Sequence, residues 1–299
     1  MTDGDVAKET EGVTGTETTE TGHAYATPGA RGLISAIVRR ELRTVARTRT
    51  FALLTAALAA ILLGIGWAGG GMESGYVPTV VDVLTPLEVL VPVVAVVFGY
   101  RAILGDRERG ELEVFRTYPI SSWQLVLGTY LGRAIGVVLA VTVPLTLLFI
   151  GVVFTETERL RVYATHAGAD SPVLFARLIV LAVVFALVVL AIAIAVSALV
   201  SSARTGLVAA ALALLVVLFG LDLAIIYGFV AGPLGEASLI YALPLSPLSA
   251  FRGLVLETVI VTAAGTGPRA ASPIASLFGL AAWTVGSLVV ATLGVEHLE

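Results

Sequence analysis

Residues 173–200 read VLFARLIVLAVVFALVVLAIAIAVSALV and carry a single charge, on Arg177. A helix needs about 20 apolar residues to cross the hydrocarbon core of a bilayer, so this stretch is long enough to span a membrane. Its apolar residues follow one another without the alternation that a lipid-facing β-barrel strand requires. The stretch therefore predicts a membrane-spanning helix.

The whole chain has the composition of a membrane protein. Of its 299 residues, 57% are hydrophobic and 13% are charged, and the mean hydropathy is +0.96. Soluble domains average about 45–50% apolar and about 25% charged residues. The composition argues against an ordinary soluble fold.

Long apolar runs recur along the sequence, and we predict an all-α, polytopic protein with six transmembrane helices. The predicted spans are residues 51–67, 87–104, 125–154, 173–200, 205–231 and 274–295. The third contains Pro144, which removes a backbone donor and is expected to kink or break that helix.

Two further helices are expected beside the spans. In residues 33–49, Ile34, Ile37 and Leu42 recur at helical spacing while Arg40 and Arg43 share another face. That pattern favours an amphipathic interfacial helix on anionic headgroups, with a cytoplasmic extension of the first span as the alternative. Residues 254–264 form an apolar stretch interrupted by Glu257. It is too short to cross, so a re-entrant or interfacial helix is expected between spans 5 and 6.

The sequence divides into a polar tail and an apolar membrane domain. Residues 1–30 are rich in Thr, Glu and Gly and predict a disordered acidic tail, because they offer little to bury. Residues 31–299 are expected to form the six-helix membrane domain. The formal net charge of −4 hides this division of the charges.

Several kinds of active site are excluded by residue type. Lys8 is the only lysine, and no G-x-x-x-x-G-K sequence surrounds it, so the chain has no P-loop. There is no cysteine, and none of the three histidines, His23, His166 and His297, lies inside a predicted span. We therefore expect no enzyme active site, no metal site, no bound cofactor and no nucleic-acid partner in this chain.

Arginines set the expected orientation, since short cytoplasmic loops retain positive charge. Most arginines lie before the first span, in the connection between spans 2 and 3, or in the short connection after span 4. They are Arg31, Arg39, Arg40, Arg43, Arg47, Arg49, Arg101, Arg107, Arg109, Arg116 and Arg204. Both termini are expected to be cytoplasmic, in a multi-pass protein of the plasma membrane.

The connection between spans 2 and 3 carries most of the functional information. Residues 105–122, GDRERGELEVFRTYPISS, are called the coupling segment below. Charges are dense from Asp106 to Arg116, Leu112 and Phe115 lie three residues apart on one side of a predicted short helix, and Pro119 ends it. A solvated charge run is one interpretation. The mixture of acids, arginines and apolar residues also suits docking onto another protein.

A family resemblance rests on this region. The run Glu108-Arg109-Gly110-Glu111-Leu112-Glu113, then Pro119-Ile120-Ser121, Leu127-Gly128 and Leu131-Gly132, resembles type-2 ABC transporter permeases. It is most similar to the branch that includes the membrane subunit of the copper and nitrous-oxide-reductase maturation transporter. The stretch from Leu245 to Arg252 is also similar to this branch, although Ser246 stands where an Asn is expected.

The resemblance implies a permease that works as a dimer with a separately encoded P-loop ATPase, which binds the ATP and Mg. It implies that the coupling segment contains the helix that docks on that ATPase. The residues that match are Glu108, Arg109, Gly110, Glu111, Leu112, Glu113, Phe115 and Pro119. It also suggests a copper- or sulfur-related cargo for a maturing metalloenzyme, with lipid, drug or peptide export as alternatives.

Other candidates come from the spans themselves. Gly128, Gly132 and Gly136 recur every four residues, which permits close helix approach within the protomer or across a dimer. Arg133 and Asp222 lie inside apolar runs, where a charge is costly unless it is paired, so they are candidates for an intramembrane pair or a polar pathway. The alternative functions are a secondary transporter or channel without an ATPase, and a membrane anchor without transport.

Overall fold

The computed structural model describes residues 30–111, 120–155, 170–232, 236–265 and 271–297, and these are helical without any strand. The predicted tail, apart from Ala30, lies outside the described residues. The helices are α1 (Ala30–Arg47), α2 (Arg49–Ala68), α3 (Gly71–Ser74), α4 (Tyr76–Gly99), α5 (Leu104–Glu108), α6 (Ser122–Thr155), α7 (Pro172–Leu199), α8 (Ala203–Val230), α9 (Glu236–Ala242), α10 (Pro247–Ala264) and α11 (Pro273–His297).

The six longest helices alternate in direction. The start of α6 lies against α1, and its far part, at Gly151, lies against Met72 just after α2. The end of α7 meets the start of α5, and the end of α11 packs on the end of α7 at Gly294. We call the end that holds α1 and α5 the basic end, and the other the opposite end.

The core lies between α4, α6 and α7. Helix α7 is at its centre, where alanines alternate with large buried residues such as Phe175, Phe185 and Leu190. Small residues let the neighbouring backbones approach closely, as where Gly99 of α4 faces Ala193 of α7. The predicted helical class is confirmed for the described residues.

The second span begins well before residue 87, the predicted boundary. Helix α4 starts at Tyr76 because Asp170, far away in sequence, caps it: its carboxylate accepts from Tyr76 N at 2.9 Å and Val77 N at 2.8 Å. Helix α4 contains Pro86 and Pro92, which membrane helices tolerate when neighbouring helices pack around them.

Pro144 does not break α6, which continues from Ser122 to Thr155. A membrane helix tolerates a proline when neighbouring helices provide contacts for the backbone carbonyl that loses its hydrogen-bond donor. Pro144 is buried among such neighbours. Of the kink or break expected at Pro144, the break does not occur, and the kink stays a prediction.

Among the described residues, seven helices are long and apolar enough to cross a membrane, and the one beyond the six predicted spans is α10. Contacts place α10 beside only part of α7. Phe251 stacks on Phe185, near the middle of α7, with ring centroids 4.7 Å apart. Seven residues later, Thr258 O accepts from Arg177 Nη1 at 2.8 Å, close to the start of α7. Helix α10 therefore runs from the middle of the bundle toward the opposite end.

The close packing of α1 on α6 gives a first prediction. A Cβ built at Gly132 would meet Glu41 Cβ inside its van der Waals radius, whereas one at Gly286 of α11 would meet nothing within 4 Å. We expect Gly132→Ala to lower the melting temperature of the purified protein, since overpacking costs about 1–3 kcal/mol. Gly286→Ala, the matched control, should leave it unchanged or raise it. Equal melting temperatures would show that α1 does not dock against Gly132.

Candidate functional site

Helix α5 is anchored to the end of α7. The Ser197 hydroxyl accepts from the backbone nitrogens of Ile103 and Leu104, both at 3.0 Å. Arg107 donates to the carbonyl oxygens of Ala198, at 3.1 Å, and Val200. The last carbonyls of a helix lack partners within it and attract a cation. Helix α5, in the first part of the coupling segment, is thus fixed to the end of α7.

Charged side chains from α1, the coupling segment and α6 meet at the basic end. We call them the ionic cluster: Arg40, Glu41, Asp106, Arg109, Glu111 and Arg133. Arg40 lies at its centre and contacts Asp106 Oδ2 at 2.5 Å, Glu111 Oε2 at 2.8 Å and Glu41 Oε1 at 2.9 Å. A single guanidinium therefore joins α1 to two parts of the coupling segment.

Two further arginines complete the cluster. Arg109 donates to Asp106 Oδ1 at 2.5 Å and to Glu111 Oε1 at 2.6 Å. Arg133, on α6, donates to Glu41 Oε2 at 3.0 Å and to the Phe98 carbonyl of α4. The cluster consequently links α1, α4, α5 and α6.

The carboxylates at the centre of the cluster are buried. The side chains of Asp106 and Glu41 are 3% and 4% exposed, whereas that of Glu111 is 40% exposed. A buried carboxylate is costly unless it is paired and hydrogen-bonded. Asp106 and Glu41 each have two arginine partners, so the position of α1 depends on these contacts.

The charged forms of Glu111 and Arg40 are favoured by their neighbours in the cluster. The hydrogen bond from Arg109 lowers the pKa of Glu111. Burial opposes the charge of Arg40, but the hydrogen bonds and attraction of Asp106 and Glu41 outweigh it and raise the pKa of Arg40. Both groups are therefore charged at neutral pH.

Four of the eight residues predicted to contact an ATPase are described. Arg109 and Glu111 belong to the ionic cluster, and Glu108 pairs with Arg101 at 2.7 Å. Gly110 has φ 71°, in the left-handed region where glycine is favoured, so the chain turns there. Leu112, Glu113, Phe115 and Pro119 lie outside the described residues.

Two of the three glycines predicted for helix packing, Gly128 and Gly132, face α1. A Cβ at Gly128 would lie 2.9 Å from Ile37, and Gly132 faces Glu41. Gly136, one turn further on, is buried. The close approach at the first two glycines is within the protomer.

The structure does not bring Arg133 and Asp222 together. Arg133 pairs with Glu41 at the basic end, and Asp222 accepts from the Ser249 hydroxyl at 2.9 Å. Arg133 thus has its carboxylate partner on α1, outside the apolar runs in which a partner was expected.

Sequence reasoning missed two ion pairs. Glu41 is the single acid among the arginines of α1, and that isolation was the available signal. Glu88 of α4 and Arg252 of α10 pair through two hydrogen bonds, Arg252 Nε to Glu88 Oε1 at 2.6 Å and Arg252 Nη2 to Glu88 Oε2. The predicted start of the second span at residue 87 put Glu88 at the end of that span, but Glu88 lies well inside α4.

The described part of the chain contains no group of three His, Asp or Glu residues that could hold a metal ion. The described residues form apolar helices, a buried ionic cluster and an anchored charged segment, and the apolar helices define a multi-pass membrane protein.

Comparison with known proteins identifies the class. Residues 35–295 match the family described as ABC-2 family transporter protein. The chain belongs to this family of ABC transporter permeases, and the family resemblance is confirmed. Members are membrane subunits that work with a partner ATPase.

Two relatives show the branch. The chain is 30% identical over 270 residues to the probable ABC transporter permease protein NosY of Pseudomonas aeruginosa, covering 85% of this chain and 94% of that protein. It is 31% identical over 112 residues to the protein of the same description from Stutzerimonas stutzeri, covering 36% of this chain and 41% of that protein.

Arg40 allows a direct test of the ionic cluster. Arg40→Ala leaves Asp106 and Glu41 buried with fewer partners, and breaking such a pair costs about 3 kcal/mol or more. We expect a clear fall in the melting temperature measured in detergent.

Arg39→Ala is the matched control, because Arg39 is exposed and makes no ion pair among the described residues. It should change the melting temperature little. If the two variants melt alike, the cluster does not hold α1 in place.

Proposed function

We propose that this protein is the permease subunit of an ATP-driven transporter and that it forms the translocation pathway as a homodimer. A separate ATPase would dock on the coupling segment at residues 105–122. The observation that carries this proposal is the anchoring of α5: Ser197 and Arg107 tie it to α7, and the ionic cluster ties it to α1 and α6.

The anchoring supplies a mechanism for coupling. ATP-driven closure of the ATPase subunits displaces the coupling segment. Because the buried pairs of Asp106 and Glu41 are directional and costly to break, the displacement moves α1, α4, α6 and α7 together. The helices then change between inward-facing and outward-facing arrangements. The hydrolysis itself takes place in the partner.

Surface composition supports a dimer. Helix α8 leaves large apolar side chains exposed, including Leu207, Leu212, Phe219 and Leu223. A second copy or lipid must cover such a face in a membrane. We infer that two protomers enclose the pathway between them.

For topology, we propose six spans, with both termini cytoplasmic in the plasma membrane and α1 lying in the headgroup region. Helix α10 is then a re-entrant helix. Its start near the middle of α7 and its direction toward the opposite end support this assignment. The arginines of the basic end support a cytoplasmic position for that end.

For cargo, we propose a role in the maturation of a copper enzyme, nitrous oxide reductase, on the basis of the two relatives named as NosY. Copper itself is disfavoured as the transported species, because the predicted spans contain no cluster of Met, Cys or His to hold a soft metal. We therefore propose a sulfur-related cargo for that enzyme.

The coupling segment provides the test of this proposal. We expect Leu112→Ala with Phe115→Ala to remove an apolar edge that docks on the ATPase. Co-purification of the ATPase and the ATP turnover of the complex should both fall, while the amount of permease in the membrane stays constant.

Arg204→Ala is the control, since Arg204 is exposed at the basic end but outside the coupling segment. Unchanged assembly and turnover in the double variant would refute the coupling assignment. Transport by the permease without any ATPase would favour the secondary transporter.

Topology can be tested with single cysteines, because the natural chain has none. Six spans place Ser35→Cys and His297→Cys on the same side of the membrane, and seven place them on opposite sides. We expect both to resist an impermeant maleimide in intact cells and to react after the membrane is opened. Labelling of either one from outside would overturn the orientation.

A further inference from the structure

A polar site lies deep in the bundle, away from the ionic cluster. It consists of Glu88 on α4, Asp222 on α8, and Ser249 and Arg252 on α10. Arg252 holds Glu88 through Nε and Nη2, and Asp222 holds the Ser249 hydroxyl one turn away on the same face of α10. Phe251, next to Arg252, stacks near the middle of α7, which places this site at mid-depth.

The two members of the ion pair differ sharply in exposure. The side chain of Glu88 is 4% exposed, but that of Arg252 is 47% exposed. A guanidinium in the middle of a bilayer is too costly to face hydrocarbon, so such residues face the interior of an assembly or a water-filled cavity. The exposed side of Arg252 therefore marks a face of the protomer that does not contact lipid.

The unused donors of Arg252 define the chemistry of a ligand. A guanidinium has two edges, and Glu88 occupies the edge formed by Nε and Nη2. Nη1 has no partner among the described residues. A free edge of this kind matches the paired oxygens of a carboxylate or phosphate group in a bidentate arrangement.

Asp222 makes the site weak enough to release its ligand. Its carboxylate attracts Arg252 through space but contacts Ser249 instead of the free edge. An incoming oxyanion would meet this like charge. Transport sites need binding that is favourable enough for entry and weak enough for exit.

We propose that the free edge of Arg252 binds an oxyanion group, of the carboxylate or phosphate class, on the transported solute. Glu88 positions the guanidinium, and Asp222 limits the affinity. This proposal rests on the proposed function and adds the substrate class to it.

The test uses a cysteine introduced one turn beyond Arg252. Leu256→Cys, in the otherwise cysteine-free chain, keeps all four polar residues and reports access to the site. Phe278→Cys is the control: Phe278 is an apolar side chain of α11, 71% exposed, and near the same depth, because Gly253 lies beside Ser276. Both are reacted with a sulfonate-bearing, impermeant methanethiosulfonate on the intact complex in nanodiscs.

We expect labelling at residue 256 and none at residue 278. Methylphosphonate should slow the labelling at 256, whereas tetramethylammonium at equal ionic strength should not. Asp222→Asn should strengthen the protection by about five-fold, because it removes a like charge close to the ligand. Arg252→Lys should abolish the protection, since an ammonium keeps the pair with Glu88 but lacks the second edge.

Other results would overturn the proposal. They are equal labelling at the two positions, protection by the cation instead of the oxyanion, and protection that survives Arg252→Lys. Co-purification of the ATPase and its turnover, measured on the same preparations, separate the two proposals. An active complex without oxyanion protection refutes the site alone, and failure to assemble refutes the proposed function.

Discussion

Two buried carboxylates, Glu41 and Asp106, determine how the basic end of this protein is built. Neither can remain charged away from water without partners, and Arg40 contacts both of them. Arg109 and Arg133 supply the second partner of each. Because these contacts come from α1, the coupling segment and α6, the three elements have one favourable arrangement relative to one another.

The rest of the bundle is held by different forces. At the opposite end, Asp170 caps α4 and aromatic rings of Tyr76, Phe149 and Phe175 pack together. In the middle, apolar packing around α7 dominates, with one ion pair between Glu88 and Arg252. The strongest directional contacts thus lie at the basic end, where the proposed ATPase would act.

Much of this architecture could be predicted from the sequence. The positions of five spans follow from long apolar runs, since a membrane helix must satisfy its backbone internally and cover itself with apolar side chains. The start of α4 could not be predicted, because the residue that caps it, Asp170, is 94 residues away in the sequence. Local sequence patterns carry no information about such a contact. The length of α10 was missed for a similar reason: Pro247 and Arg252 belong to a helix that is stabilised by its partners on α4, α7 and α8.

The candidate site was only partly predictable. Charge density singled out residues 105–122, but the pairing of Arg133 with Glu41 depends on the docking of α1, which the sequence does not specify. The two members of the other ion pair also differ in exposure: the side chain of Glu88 is buried and that of Arg252 is half exposed. Residue type alone cannot predict this difference.

The most direct test of the permease assignment is a cryo-electron microscopy structure of the complex with its ATPase. We expect two protomers, with each ATPase subunit seated on residues 105–122 and the ionic cluster intact behind that contact. An ATPase bound at the opposite end, or one bound at the basic end without touching the coupling segment, would refute this assignment.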